Sequence, residues 1–176
     1  MTTITATRPS RRRLAGLALL AGVAVVAPAC QGTWGLRASY RTYVTGPMGQ
    51  GEITAQEGAT WLDGPGTGKG PFQWELDWST WDAGTETGTV QFRGGVTTAA
   101  HPSEDGDVLD TSVWNPRLEI TGDVGTLYVD LAYRPFDGPA PEELPALAAA
   151  TNVAFATVDL SGEDLTPAEN GNITIS

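Results

Sequence analysis

One histidine, one cysteine and two methionines among 176 residues leave this chain little of the usual chemistry of catalytic and metal centres. A structural zinc site takes three or four nitrogen or sulfur ligands, which is more than His101 and Cys30 together can supply. A lone cysteine excludes any internal disulfide. A lone histidine permits at most one Ser-His-Asp arrangement, and no serine lies in a nucleophile-elbow pattern, so an enzyme is not expected. Positive charge is also scarce: ten Lys and Arg face 21 Asp and Glu, a net charge of −11. A surface of that sign gains nothing from counterion release on a phosphate backbone, which excludes nucleic acid as a partner. Long helical periodicity is nearly absent. The one extended apolar run, Leu14 to Val26, is shorter than the roughly 20 residues that span a bilayer.

That run follows Arg8, Arg11, Arg12 and Arg13 and ends in Ala27-Pro28-Ala29, so residues 1–29 read as a signal peptide rather than a fold element. Ser10-Arg11-Arg12-Arg13-Leu14 is similar to the twin-arginine export pattern, although a Sec signal can carry several arginines too. Ala27-Pro28-Ala29-Cys30 is similar to a lipobox, in which the cysteine becomes the lipidated first residue; plain cleavage after Ala29 is the alternative. Any membrane attachment must then run through a lipid on Cys30, since no second hydrophobic stretch exists. The expected product is exported and is either lipid-anchored at the cell surface or secreted. Residues 30–176 keep six basic and all 21 acidic residues, a net charge of −15. Among so few cations, Arg37 and Arg41 are candidates to meet a specific anion, with two solvated arginines as the alternative.

Behind the leader, glycine, threonine and alternating apolar residues predict a single all-β domain over 30–176. The expected architecture is mostly antiparallel and β-sandwich-like, with curved sheets and one or two short helices. Trp34, Leu36 and Ala38 alternate as a strand, and Ser39 is placed to cap a short helix that would set Ser39 and Tyr43 on one face. Strands are predicted over Glu52 to Gln56 and Ala59 to Leu62 around a Glu57-Gly58 turn. Gly64 to Gly70 fails as a phosphate-binding loop, because no Ser or Thr follows Lys69. Phe72, Trp74, Leu76 and Trp78 alternate with polar residues and predict an aromatic inner face, leaving Trp61, Trp81 and Trp114 freer. Gly94-Gly95 suggests a bulge or bend, with His101 at the end of the strand that follows. Glu104 to Asp107 reads as a solvated acidic loop, in the wrong register for an EF-hand. Leu127 to Tyr133 and Val153 to Leu160 are further strands, with a helical turn or two expected over Leu144 to Ala150.

Haem asks less of a protein than zinc does. The porphyrin supplies four nitrogens, leaving one axial ligand, an apolar slot and partners for the propionates. A tyrosine can be that ligand when a neighbouring N–H donor steadies its oxygen, and Tyr43 with His101 would form such a pair. By the residues alone, a strand-end histidine and a core tyrosine remain the alternative.

From Trp34 to about Thr166 the chain resembles the HtaA-type haem-binding domain of Gram-positive surface haem-uptake proteins. The resemblance is carried by Trp34-Gly35-Leu36, Ser39-Tyr40-Arg41-Thr42-Tyr43-Val44-Thr45-Gly46 and Gly51-Glu52-Ile53. It continues through Val90-Gln91-Phe92-Arg93-Gly94, His101, Leu109-Asp110, Asn115 to Ile120 and Gly125 to Asp130. It implies that Tyr43 is the axial ligand, that His101 hydrogen-bonds it, and that Ser39 approaches a propionate. It also implies ferric haem as cofactor, since an anionic oxygen ligand favours the ferric state, and relay to another haem-uptake lipoprotein or transporter component. The chain departs from the family in carrying Ala100 where glycine usually precedes the histidine, in an apparently enlarged loop over Pro102 to Gly106, and in lacking the family's C-terminal aromatic segment. Tyr133, Phe136 and Phe155 are the aromatics available to take that segment's place. The competing reading is a non-haem β-sandwich surface lipoprotein that binds glycan or protein, or serves adhesion, through some of its six tryptophans.

Overall fold

The computed structural model describes residues 4–6, 31–64, 70–136, 143–165 and 173–175. Cys30, most of the expected signal peptide, most of the Gly64 to Gly70 loop and Asn172 of an Asn-Ile-Thr sequon lie outside these. In chain order the elements are β1 (Ile4–Ala6), β2 (Gln31–Trp34), α1 (Ala38–Thr45), β3 (Glu52–Gln56), β4 (Ala59–Trp61), β5 (Phe72–Asp82), β6 (Thr87–Arg93), β7 (Gly95–Ser103), β8 (Gly106–Thr121), β9 (Val124–Tyr133), β10 (Ala148–Asp159) and β11 (Ile173–Ile175). Among the described residues, all ladders between these strands are antiparallel. The domain is therefore all-β with one short helix among the described residues, as the composition predicts.

The 16-residue strand β8 organises the sheet. β7 pairs with its first half and β6 with its second, so the two strands form one interrupted line along a single edge. The interruption is Gly94, at φ +108°, where a Cβ would sit 2.4 Å from the backbone nitrogen of Ala59. Beyond that point the sheet forks: β3 continues from β7, and β5 continues from β6. One buried cluster holds Ile53, Val96 and Ala100 from the first branch with Phe72, Trp74, Val90 and Phe92 from the second and Leu118 of β8, so the branches close over a shared core. Fully burying an aromatic or aliphatic side chain of this size contributes about 1.5–3 kcal/mol, and this interior holds the domain together. A smaller cluster of Val113, Leu127 and Val129, flanked by Trp34 and Leu131, continues under β8 and β9.

Several local expectations are corrected. β2 ends at Trp34 and the helix starts at Ala38, so the predicted strand is shorter. In β5 a register shift between Leu76 and Trp78 reverses the alternation. Trp78 therefore turns outward, 47% exposed, while Trp81 packs against the core. Trp61 is also buried, its indole N–H donating to Gly70 O, and the Trp114 ring lies against Gly95. The apparent loop over 102–106 is a tight hairpin, with Pro102 paired to Asp107 and Ser103 to Gly106. The segment after Leu144 holds no helix; it runs directly into β10, which begins at Ala148.

Candidate functional site

α1 is eight residues long and lies against β3 and β7. Its N-cap is Arg37, without a capping side chain, so Ser39 sits inside the first turn rather than capping it. Spacing of three and four residues sorts the helix into two faces. Tyr40, Arg41 and Val44 turn toward the core, while Ser39, Thr42 and Tyr43 are exposed. Tyr40 hydrogen-bonds through its hydroxyl to Thr98 Oγ1 at 2.8 Å, and Thr98 Oγ1 in turn donates to Thr111 O at 3.2 Å. Those two bonds fix the helix over the middle of β7.

One turn further along, Tyr43 reaches His101. Tyr43 Oη and His101 Nε2 are hydrogen-bonded at 2.5 Å, with ring centroids 5.6 Å apart and planes at 58°. His101 is not at the strand's end but two residues inside it, in the left-handed region at φ +57°. Its backbone N–H donates to Gly49 O at 2.7 Å, which ties the strand to the loop after α1. A non-glycine residue held at positive φ is costly, and such residues concentrate at functional sites. Tyr43 remains 39% exposed, so its phenolic oxygen combines a fixed partner with access to solvent.

Arg41 takes a different part from the one its scarcity suggests. It is buried, donates to Leu36 O and lies 6.0 Å from the Phe72 ring centroid. Burial lowers its pKa from the ordinary value, and the charge of Asp63 pulls the other way. It is a structural cation. Arg37 remains exposed at the helix N-terminus beside Ser39.

Register also reveals what periodicity leaves unseen. Ile53, Thr98, Thr111, Tyr133 and Ala148 pair directly across β3, β7, β8, β9 and β10 and form one row. Its first two members are buried beneath α1, and exposure rises along the row until Tyr133 is 43% exposed. The next row holds Val113, Leu131 and Ala150, with Trp34 packed against it and Phe155 edge-on to Trp34 at 5.6 Å. An apolar shelf of β8 to β10 thus begins where the helix stops covering the sheet. Cross-strand parity could have identified it, but the pairing partners of β9 and β10 are not fixed by sequence. Phe136, the third aromatic proposed as cover, is exposed just past β9.

Among the described residues, a forked antiparallel sheet with one helix, carrying a surface Tyr–His pair, defines the class of protein. The HtaA family model (Htaa) matches residues 29–176, and the chain belongs to that family. Among solved structures it is similar to the N-terminal domain of HtaA from Corynebacterium glutamicum. The two are 29% identical with a TM-score of 0.63, over 75% of this chain and 72% of that one. The C-terminal domain of the same protein is 23% identical, with a TM-score of 0.62 over 78% and 72% of the two chains. The heme binding protein HtaB of the same organism is 22% identical, with a TM-score of 0.62 over 74% and 69%. No curated protein matches the chain significantly.

Proposed function

We propose that this chain binds ferric haem through Tyr43, with His101 as the hydrogen-bond partner of the ligand oxygen. The observation that carries the reading is the 2.5 Å contact between Tyr43 Oη and His101 Nε2, made by a phenol that stays exposed. The donor set fits. A bound ferric porphyrin needs from the chain one anionic oxygen, an apolar surface and a partner for its carboxylates. Tyr43 offers the oxygen, and His101 in the tautomer protonated at Nε2 donates to it and holds its direction. Tyr133, exposed on the row that pairs with Thr98, three residues before His101 in β7, offers apolar surface. Arg37, the N-cap, and Ser39, in the first turn, lie at the N-terminus of α1, where unpaired backbone N–H groups favour negative charge. Membership of the HtaA family and the likeness to HtaB support the same reading.

The leader-like N-terminus and Cys30 extend it to an exported protein, lipid-anchored at the cell surface or secreted, that passes haem to another uptake component. An anionic oxygen ligand holds the ferric rather than the ferrous state, which suits capture outside the cell. Hemin titration of the purified protein tests the ligand directly. Wild type should develop a saturable Soret band that Tyr43→Ala abolishes. His101→Ala should lower affinity by about tenfold without abolishing the band, the effect of losing one charge-assisted hydrogen bond. A spectrum unchanged in Tyr43→Ala would overturn the assignment, and equal sensitivity to both substitutions would make histidine the ligand.

A further inference from the structure

We infer that the opposite, outward face of the sheet carries a second binding site, for an uncharged polyhydroxylated ligand such as a neutral glycan chain. Trp78, Gln91, Arg117 and Tyr128 pair directly across β5, β6, β8 and β9 and form one outward row. Their sequence neighbours Val90, Leu118 and Leu127 point into the core. At one end of the row, Gln91, Arg117 and Tyr128 join Asn115, Asp130 and Asn152 around a niche of about 220 Å³.

The niche is built by two β-bulges at the same level. Register shifts occur between Trp114 and Arg117 in β8 and between Ala150 and Val153 in β10, and each sets an asparagine in the left-handed region, Asn115 at φ +51° and Asn152 at φ +57°. Asp130 braces both, accepting from Asn115 Nδ2 at 3.3 Å and from the Asn152 backbone N–H at 2.9 Å. That bracing accounts for Asp130 and Asn115, but not for what surrounds them. Arg117 stacks on Tyr128, 4.9 Å from the ring centroid, and donates to Asn152 Oδ1 at 2.6 Å. Its Nε is buried, so Arg117 forms the wall of the niche rather than a free donor in it. Gln91 donates from Nε2 to Phe92 O and Asn115 O, which leaves its carbonyl oxygen available. The Tyr128 hydroxyl and the Asn152 amide nitrogen likewise have no partner among the described residues.

Charge selects the ligand class. Glu119 pairs with Arg117 at 3.0 Å and Asp130 stands beside it, so the niche has no surplus positive charge to attract an anion. Both Asp130 oxygens are already committed, so it offers a cation little. What remains are amide and hydroxyl groups that both donate and accept, which is the complement of sugar hydroxyls. Trp78, 47% exposed, stands two strands from Arg117, about 10 Å at ordinary strand spacing. Its indole can stack on the apolar face of a further sugar ring while the niche holds the first.

Titration of the isotope-labelled full chain with chitotetraose, cellotetraose and mannotetraose, followed by NMR, tests the site. At least one glycan should saturably shift the side-chain signals of Gln91, Asn152 and Trp78. Trp78→Ala, Tyr128→Phe and Asn152→Gly should each weaken that binding by about tenfold, the effect of losing one stacking or hydrogen-bond contact. Glycine accepts the left-handed backbone at 152, and Tyr128→Phe removes only a hydroxyl, so both variants keep the fold. Hemin uptake should be unchanged in all three, which separates this site from the haem reading. Absence of a shift with all three glycans, shifts confined to other residues, or undiminished binding in the variants would each overturn it.

Discussion

Arg41 shows how one residue's role turns on burial. An arginine in an acidic chain invites an anion, but this one is enclosed between Phe72 and the Leu36 carbonyl, where it carries the turn from β2 into α1. A buried arginine is kept by hydrogen bonds more than by charge, and removing it strands its acceptors. Arg41→Leu preserves apolar volume but leaves Leu36 O without its donor, which costs about 1–3 kcal/mol. Chemical denaturation should show that loss as a lower midpoint at unchanged slope. Arg37→Leu, at an exposed position of the same helix end, should move the midpoint by less than about 0.5 kcal/mol. Equal effects would mean that Arg41 is solvated and available after all. The Tyr43–His101 pair is the counterpart: little of its contact is needed to hold the core, yet its geometry is fixed from both sides.

At the scale of elements, that fixing depends on how closely the loop after α1 approaches β7. Gly51 donates its N–H to Val44 O, and a Cβ on it would sit 1.9 Å from Ala99 O and 2.6 Å from Ala100 Cα. Those are backbone atoms of the strand carrying His101, so Gly51→Ala must push the strand away from the helix. The expected cost is about 1–3 kcal/mol, typical of overpacking, together with weaker hemin binding because His101 moves relative to Tyr43. Gly84→Ala meets only the Asp82 side chain, at 3.3 Å, and should leave both properties near wild type. Thermal melts and hemin titration on the two variants decide it; a stable Gly51→Ala with full hemin affinity would show that the approach is not needed.

The same elements show what was legible in the sequence. The all-β class, the β3–β4 turn, the strand over Leu127 to Tyr133 and the short helix bearing Tyr43 all follow from period and turn chemistry, which are local. Trp78 and Trp81 depart from the alternation because one inserted residue in β5 exchanges the faces, and a bulge leaves no mark in an alternating pattern. Serine favours a helix cap, but the chain enters the helix two residues before Ser39, at Arg37. The pairing of residues 43 and 101, 58 positions apart, is legible only through the family resemblance. The shelf and the outer niche needed cross-strand register, which periodicity within a strand does not contain.

For the whole molecule the decisive property is charge. The chain carries −11, and residues 30–176 carry −15, yet the ligand proposed for Tyr43 brings carboxylates of its own. A protein of this sign repels such a ligand at long range, and the attraction that completes binding is local, from iron ligation, apolar contact and the N-terminus of α1. Added salt shortens the screening length from about 30 Å at 0.01 M to about 10 Å at 0.1 M. It should therefore weaken the repulsion of the distant carboxylates more than the short-range contacts. The association rate of monomeric hemin, read by stopped-flow at the Soret band, should rise across that range, the reverse of what electrostatic steering gives for opposite charges. Arg37→Gln should slow association at every salt concentration while keeping the upward trend. A wild-type rate that falls with salt would show instead that Arg37 and the helix N-terminus dominate the field at the site, and that the acidic remainder of the surface lies too far away to matter.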